Sequence, residues 1–462
     1  MKKSVLRFSS LLVLLGLLIV RLVALGLYPL MDTTESRYGE MARLMLDTGN
    51  WLTPQFSYGV PFWGKPPLQT WMSTASIFVF ENNEFFLRLP HFLAGIAVLC
   101  FIYRFAKYCQ ISAMSSVIVL TSTGVFYICA GAVMTDMGFT LGLTLAMIGF
   151  YLSWQGKIDW GYVGFVGLAV GILAKGPVTL VIFAIGVGIW LFWQYGFIKP
   201  WKLLWQRTPL LSGTLLMLAL CLPWYIAAEY ATPGFLKYFI AGENWDRFID
   251  SGWKGDLYGK AHDRMRGTIW VYFAVASLPW SLYLPKALYH LYKMGKSGFD
   301  EQTAFLLCWM LSPLLLFTFA GNILFTYVLP GVPALALLIA KAWGDFGVPK
   351  LKTVALSMAV LLILTLIGLR DGPVKEKSEK WILAQRSLSL PTYYWGKAPF
   401  SAEYYSQGKV KLVKPKEALS VLPKTPYYIV VSNGVLENNT LFDRCQRQAN
   451  TDKKVLLLCG KS

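Results

Sequence analysis

The stretch from Asp32 to Lys65 concentrates the residue types that acid–base and phosphate chemistry need. Asp32 and Glu35 stand three apart in Asp32-Thr33-Thr34-Glu35-Ser36-Arg37-Tyr38. Two such carboxylates can act as a general base or hold a divalent ion. They equally suit the start of a helix capped by Thr33 or Thr34, where acidic side chains complement the dipole. Helical spacing would put Glu35, Tyr38 or Gly39, and Ala42 on one face. Farther on, Lys65 precedes Pro66-Pro67, which hold the backbone extended. At a membrane edge such a lysine either binds a lipid phosphate or snorkels its ammonium into water.

Other candidates are spread along the chain. Asp136 stands alone between two apolar runs, as a functional carboxylate at a span end or as a helix cap beside Thr135. Lys175, in Ala174-Lys175-Gly176-Pro177, is a second lone charge or a C-terminal helix cap. Gly242-Glu243-Asn244-Trp245-Asp246-Arg247-Phe248 mixes polar and aromatic side chains, as a binding loop does and as interfacial anchors at Trp245 and Phe248 would. His262 lies in the same outer loop, while His91 and His290 fall at span edges. One histidine makes no metal site, and no CxxC or zinc-finger spacing occurs.

Apolar runs must position these residues. Of 462 residues, 55% are apolar and 15% charged, against about 25% charged in a typical soluble domain. That excludes a soluble globular chain and a disordered one. Runs at 8–30, 89–108, 112–131, 137–154, 160–174, 177–195, 209–228, 268–289, 303–319, 324–342 and 353–369 approach the roughly 17–25 residues that cross hydrocarbon. The stretch 67–80 is shorter and reads as an interfacial or re-entrant helix. Lys2, Lys3 and Arg7 before run 8–30 resemble a signal peptide, but no small-x-small cleavage site follows, so the run reads as a retained span. Lysine and arginine number 43 against 25 acidic residues, for a formal charge of +18. The basic residues are scattered between spans without a compact patch, which excludes nucleic acid and allows contact with membrane lipids. With the N-terminus inside, the short inner loops hold 15 of them and the short outer loops almost none. Loops 31–88 and 229–267 and the tail 371–462 then lie outside. In the tail, Tyr427 to Val431 followed by Ser432-Asn433-Gly434, and the run Val455 to Leu458, read as strands with turns. Its roughly 90 residues suffice for one small domain. Cys445 and Cys459 would close a short loop in an oxidising compartment.

The segment Glu35-Ser36-Arg37-Tyr38-Gly39-Glu40-Met41-Ala42-Arg43, then Gly49-Asn50-Trp51-Leu52-Thr53-Pro54 and Gly64-Lys65-Pro66-Pro67-Leu68, closely resembles the aminoarabinose transferase and dolichyl-phosphate-mannose-protein mannosyltransferase-like family. Met134-Thr135-Asp136-Met137, Ala174-Lys175-Gly176-Pro177-Val178, the His262, Arg264 and Arg266 group before Trp270, and Phe325-Thr326-Tyr327-Val328-Leu329-Pro330 resemble later family elements in order. The resemblance implies a GT-C fold: an all-α polytopic membrane protein of about 11 transmembrane helices, up to 13. It implies a transmembrane domain over 1–370 and a small C-terminal α/β or α+β periplasmic domain over 371–462. It implies a bacterial inner-membrane glycosyltransferase that moves a sugar from a polyprenyl (undecaprenyl) phosphate to lipid A or a related envelope glycolipid, with inversion at the anomeric carbon. Protein hydroxyls and polysaccharides are alternative acceptors. A polyprenyl-lipid flippase is the alternative of another class, and it predicts polar residues inside the spans.

In this family's chemistry the leaving group is a lipid phosphate, so cations must stabilise its growing charge. Arg37, Lys65, Arg264 and Arg266 are the expected phosphate ligands, with a hydrogen bond from Tyr327. Asp32, Glu35 and Asp136 are the acidic candidates for catalysis. Tyr38, Lys175, Glu243, Asn244 and His262 are the candidates for binding substrate. Two positions depart from the family. Thr34 stands beside Glu35 where the family has adjacent acids, and Gly64 stands where it has a glutamate associated with a divalent cation. A divalent cation is the one cofactor the resemblance allows, Gly64 in place of that glutamate argues against it, and no residue is assigned as its ligand.

Overall fold

The computed structural model describes residues 2–250, 252–259, 263–344, 347–369 and 372–460. In lipid, backbone polar groups find partners only within a helix or a closed sheet, so apolar runs become helices. In chain order they include α1 (Lys2–Ala24), α2 (Thr34–Thr48), α3 (Leu68–Val79), α4 (Glu84–Tyr108), α5 (Thr135–Trp154), α6 (Asp159–Lys175), α7 (Val178–Tyr195), α8 (Leu210–Ala231), α9 (Glu301–Thr318), α10 (Val332–Trp343) and α11 (Leu351–Leu369). Among the described residues, 7 helices are each long and apolar enough to cross a membrane: α4, α5, α7, α8, α9, α11 and the helical stretch Phe325–Trp343 that contains α10. The other expected runs are shorter or broken. Run 112–131 divides into Ala113–Thr121 and Gly124–Cys129. Run 268–289 divides near Pro279, whose ring interrupts helical hydrogen bonding. Run 8–30 is regular helix only to Ala24, and α6 has 17 residues. The stretch 67–80 is the 12-residue α3.

α5 is the central helix, with 94% of its apolar window buried inside the protein. It packs antiparallel on α6 along a seam of glycines. A Cβ added to Gly142 would meet Gly171 N at 2.6 Å, and one added to Gly149 would meet Gly164 N at 2.4 Å. Small residues let the two backbones touch. Because the helices run antiparallel, this seam sets the start of α5, Asp136, against the end of α6, Lys175.

α2 starts at Thr34 as expected, but Thr33 makes no side-chain cap bond. Gly49, at φ 66°, ends the helix in the left-handed conformation. A small hairpin follows, β1 (Gln55–Ser57) with β2 (Val60–Pro61). The chain closes with a five-stranded sheet ordered β4-β3-β5-β7-β6. Its strands are β3 (Thr392–Trp395), β4 (Lys411–Val413), β5 (Tyr427–Ser432), β6 (Gln446–Asn450) and β7 (Lys454–Cys459), with α12 (Phe400–Ser406) between β3 and β4. β3 runs parallel to β4 and β5, and β5-β7-β6 are antiparallel. Ile429, Val431 and Leu457 pack on one face, and Tyr428, Val430 and Leu456 on the other. Covering both faces is why the central strands read as continuous apolar runs. Cys445 and Cys459, opposite one another across β6 and β7, form a disulfide with Cα atoms 4.5 Å apart. α12 seats this sheet on the segments around Leu30 and Asn82 to Glu84. Tyr405 Oη donates to Glu84 Oε1 at 2.9 Å and accepts from Leu30 N, and Tyr404 Oη donates to Asn82 Oδ1 at 2.8 Å.

Candidate active site

A cavity of about 920 Å³ lies where α2, the start of α5, the end of α6 and the C-terminal sheet meet. α2 lines it with Thr34, Arg37, Tyr38, Glu40 and Leu44, three of them charged or phenolic. Lys65, Asp136, Lys175, Glu243, Arg247, Asp256 and Tyr327 complete its inner part, and Lys397, Phe400 and Glu403 reach in from the C-terminal sheet.

Its inner charges are tied together in two knots. In the first, Lys175 Nζ donates to Asp136 Oδ1 at 2.7 Å and lies 4.3 Å from the centre of the Tyr327 ring. In the second, Glu243 joins two cations. It pairs with Lys65 and takes two hydrogen bonds of 2.8 Å from Arg247 Nη1. Arg247 also reaches Asp256 at 3.5 Å. Glu243 and Asn244 belong to a π-helical turn, Lys237–Asp246, a wide coil often found at functional sites. Burial holds the Lys65 ammonium below the usual lysine range, Glu243 opposes this, and Arg247 and Lys175 reinforce it. Lys65 and Arg247 share the one carboxylate of Glu243, which leaves the pair able to take an added anionic phosphate. Arg37 donates to Tyr258 O at 3.1 Å, its Nε is buried without a partner, and it forms no ion pair among the described residues.

A second, mostly apolar groove of about 470 Å³ opens beside the cavity. Val178, Val181, Ile240, Phe248 and Phe317 form its walls, and Asn244 and Trp245 also line it. Lys65, Lys175, Glu243, Arg247 and Tyr327 line both spaces. A greasy channel thus ends on a cluster of cations.

Of the residues expected from sequence, Arg37, Tyr38, Lys65, Asp136, Lys175, Glu243 and Tyr327 come together around the cavity, and Asn244 lines the groove. Four go elsewhere. Asp32 turns toward the C-terminal sheet, accepting from Ser36 Oγ at 2.6 Å, Ser401 N at 3.1 Å and Ser401 Oγ. Glu35 forms a bidentate pair with Arg88 at 2.7 and 2.8 Å. Neither carboxylate lines the cavity, and both are held by protein partners. Arg264 and Arg266 are exposed and line neither space; their loop pairs Asp263 with Asn322 and turns them toward Tyr272 and Ile249. His262 lies outside the described residues. Arg247, which sequence reasoning passed over as a ligand, is the cation of the second loop that faces the site. Its signal was the Glu243-to-Arg247 spacing of four, which places both on one face of a helix.

The residues present do not fit a divalent metal. No three histidine, cysteine, aspartate or glutamate side chains cluster suitably among the described residues. A Cβ at Gly64 would meet the Phe62 ring at 2.8 Å, so the family's glutamate would enter here only with a shift of that ring.

Residues 4–239 match the dolichyl-phosphate-mannose-protein mannosyltransferase family. An undecaprenyl phosphate-alpha-4-amino-4-deoxy-L-arabinose arabinosyl transferase from Enterobacter sp. (strain 638) is 31% identical over 82% of this chain and 69% of its own length. The protein of the same name from Erwinia tasmaniensis is 30% identical over 78% of this chain and 66% of its own length. The match therefore spans about two thirds of those relatives. The fold is shared with ArnT from Cupriavidus metallidurans, crystallised with undecaprenyl phosphate, at a TM-score of 0.75, 17% identity and 97% coverage of both chains. By sequence and by fold, the chain belongs to the dolichyl-phosphate-mannose-protein mannosyltransferase family, as an integral-membrane glycosyltransferase of the GT-C fold.

Proposed function

We propose that this enzyme transfers a sugar from undecaprenyl phosphate to lipid A on the periplasmic face of the bacterial inner membrane. The relatives' names nominate 4-amino-4-deoxy-L-arabinose as the sugar. The observation that carries the reading is the meeting of an apolar groove and a polar cavity at Lys65, Lys175, Arg247 and Tyr327. A polyprenyl chain suits the groove, its phosphate suits the cation cluster, and the sugar would project into the cavity.

On donor arrival the phosphate competes with Glu243 for Lys65 and Arg247. Arg37, whose guanidinium has spare donors, adds a third contact. As the bond from the anomeric carbon to the phosphate oxygen breaks, its electron pair stays on that oxygen. Fixed cations there stabilise the growing charge more than they stabilise the bound donor, which is the condition for acceleration. The acceptor oxygen attacks the opposite face of the carbon, inverting it. A lipid A phosphate is already a nucleophile and needs chiefly positioning. Asp136, held by Lys175, and Tyr38 are the groups nearest the site to orient the sugar. Residues 371–462 form a periplasmic domain over the cavity in this reading.

The test is to express wild type and Lys65→Ala in Gram-negative cells lacking the gene and to record mass spectra of lipid A. A lipid A species heavier by one aminoarabinose, present with wild type and lost with the variant, is the expected result. Unmodified lipid A beside wild-type protein would remove this acceptor.

A further inference from the structure

We propose that Glu403 binds the acceptor: the C-terminal sheet lends the cavity a carboxylate that accepts hydrogen bonds from hydroxyls of the acceptor's phosphorylated glycan headgroup. This deepens the glycosyl-transfer reading above and rests on it.

The carboxylates lining the cavity differ in one respect. Glu40 is held by Arg43 through two bonds of 2.7 Å. Asp136 is held by Lys175, and Glu243 by Lys65 and Arg247. Asp256 faces Arg247 and accepts from Tyr258 N. The Glu403 carboxylate has no hydrogen bond or ion pair among the described residues, although it lines the same space and is only partly exposed. Folding has not supplied this carboxylate with a donor, so its acceptor oxygens stay open to a ligand in the cavity. Burial and the neighbouring Glu40 push its carboxyl up to about 7, with Arg43 opposing. The charged and titratable groups facing it are these two α2 residues, with Tyr58 behind Arg43 and Lys397 across the same cavity.

Its surroundings suit a sugar. One turn before it on α12, Phe400 packs on Phe56 at 5.1 Å, and Tyr258 lies 5.1 Å from Phe56 and 4.7 Å from Phe62. Apolar walls with few placed polar groups are the usual form of a small-ligand site. Lys397, exposed and unpaired among the described residues, adds a cation for a phosphate on the headgroup.

Position separates acceptor from donor. Lys65, Lys175 and Arg247 sit where groove and cavity join, and Arg37 stands beside them on the cavity side. Glu40, Leu44, Tyr58, Lys397, Phe400 and Glu403 line the cavity alone. Along α2, Thr34 to Leu44 spans about 15 Å at 1.5 Å per residue. The charges acting on Tyr38 are Arg37, Asp136, Glu243 and Lys175, whereas those acting on Glu403 are Glu40 and Arg43. Glu403 thus faces the end that the donor phosphate leaves open.

The experiment uses the full chain in its native host, with the chromosomal gene deleted and complemented by wild type, Glu403→Gln, Glu403→Asp or the control Glu437→Gln, an exposed glutamate at the end of the short helix Asn433–Glu437 after β5. The native acceptor is present whatever its identity. The glycosyl-undecaprenyl phosphate pool is measured in cells, and undecaprenyl phosphate affinity on the purified proteins. Glu403→Gln should enlarge the pool at least five-fold with donor affinity within two-fold of wild type, while Glu403→Asp recovers part of the turnover and Glu437→Gln matches wild type. An unchanged pool, or an enlarged one with an equal loss of donor affinity, overturns the proposal. Lipid A spectra from the wild-type cells decide the acceptor reading separately: a low donor pool beside unmodified lipid A removes lipid A and leaves the Glu403 result standing.

Discussion

Two arginine–glutamate contacts, one from each long outer loop region, sit in opposite settings. Arg88 is completely buried at 0% exposure and faces Glu35. All five of its N–H donors are used: two on Glu35, and the rest on the carbonyls of Leu25, Tyr28 and Pro29. Arg247 and Lys65, each with a side chain 20% exposed, share Glu243 at the wall of a cavity. The hydrogen bonds of Arg247 run from a single nitrogen, Nη1, to that one carboxylate. A guanidinium whose donors are exhausted by protein is a structural clamp. One with donors to spare beside open volume can take a ligand. Saturation of donors separates the two pairs, although charge and residue type are the same.

The comparison makes its largest claim about folding. Glu35→Ala leaves a buried, uncompensated guanidinium and should cost about 3–5 kcal/mol. Thermal unfolding in detergent and the yield of monodisperse protein measure it. A Glu35→Ala protein that melts like wild type yet turns nothing over would make Glu35 the catalyst after all. Lys65→Ala and Arg247→Ala should behave in the converse way. Transfer should fall by at least ~100-fold, about 2.7 kcal/mol of barrier, while the melting temperature barely moves. The double variant should lose less than the product of the two, because both cations share Glu243. Fully multiplicative losses would show that the two cations act on separate charges.

Sequence made visible what depends on local pattern. The apolar runs located the helices, and Asp136, Lys175 and Lys65 stood out as lone charges beside them. What stayed hidden depends on partners far along the chain. Asp32 is claimed by Ser401, and Glu35 by Arg88 at the start of another helix. Neither pairing leaves a periodic trace, so both acids read as free. The span count differed because Ser122-Thr123-Gly124 and Pro279 cut two apolar runs whose composition alone looked continuous, and because the apolar part of α1 and all of α6 are short. Sequence put the cations of loop 229–267 at Arg264 and Arg266, whereas Arg247 is the arginine of that loop that lines the cavity. A loop's spacing does not say which of its residues its ends turn inward. Glu403 had no signal at all, since only the docking of α12 on α2 brings it to the cavity.

That docking gives a smaller prediction. Asp32 anchors α12 through both the backbone and the hydroxyl of Ser401. Ser401→Ala removes the hydroxyl bond from a partly buried carboxylate and should cost about 1–2 kcal/mol. Hydrogen exchange should quicken in residues 399–406 and remain unchanged in α5. Uniform quickening through both would mean that the sheet and the helices open as one unit.

The smallest effect has a sign that distinguishes a site from a scaffold. Glu403 carries a folded-state pKa of about 7, above the ordinary value of 4.5. Below the ordinary value both folded and unfolded chains hold the proton, and the residue is neutral toward stability. As pH rises the unfolded chain releases its proton first, so stability is lost progressively and the full cost is present above about 7. Glu403→Gln should therefore raise the melting temperature by about 1–2 °C at pH 8 and leave it unchanged near pH 4.5. The same variant should raise the KM for acceptor at pH 8, where the wild-type carboxylate is ionised and accepts hydrogen bonds. In wild type that KM should fall as pH rises through 7, and in the variant it should stay flat. A residue kept for packing would lose stability on substitution; one kept at a cost to stability, and needed for the acceptor, is held there by the reaction. A lower melting temperature for Glu403→Gln at pH 8 would put Glu403 with Glu35 and Asp32 among the structural acids.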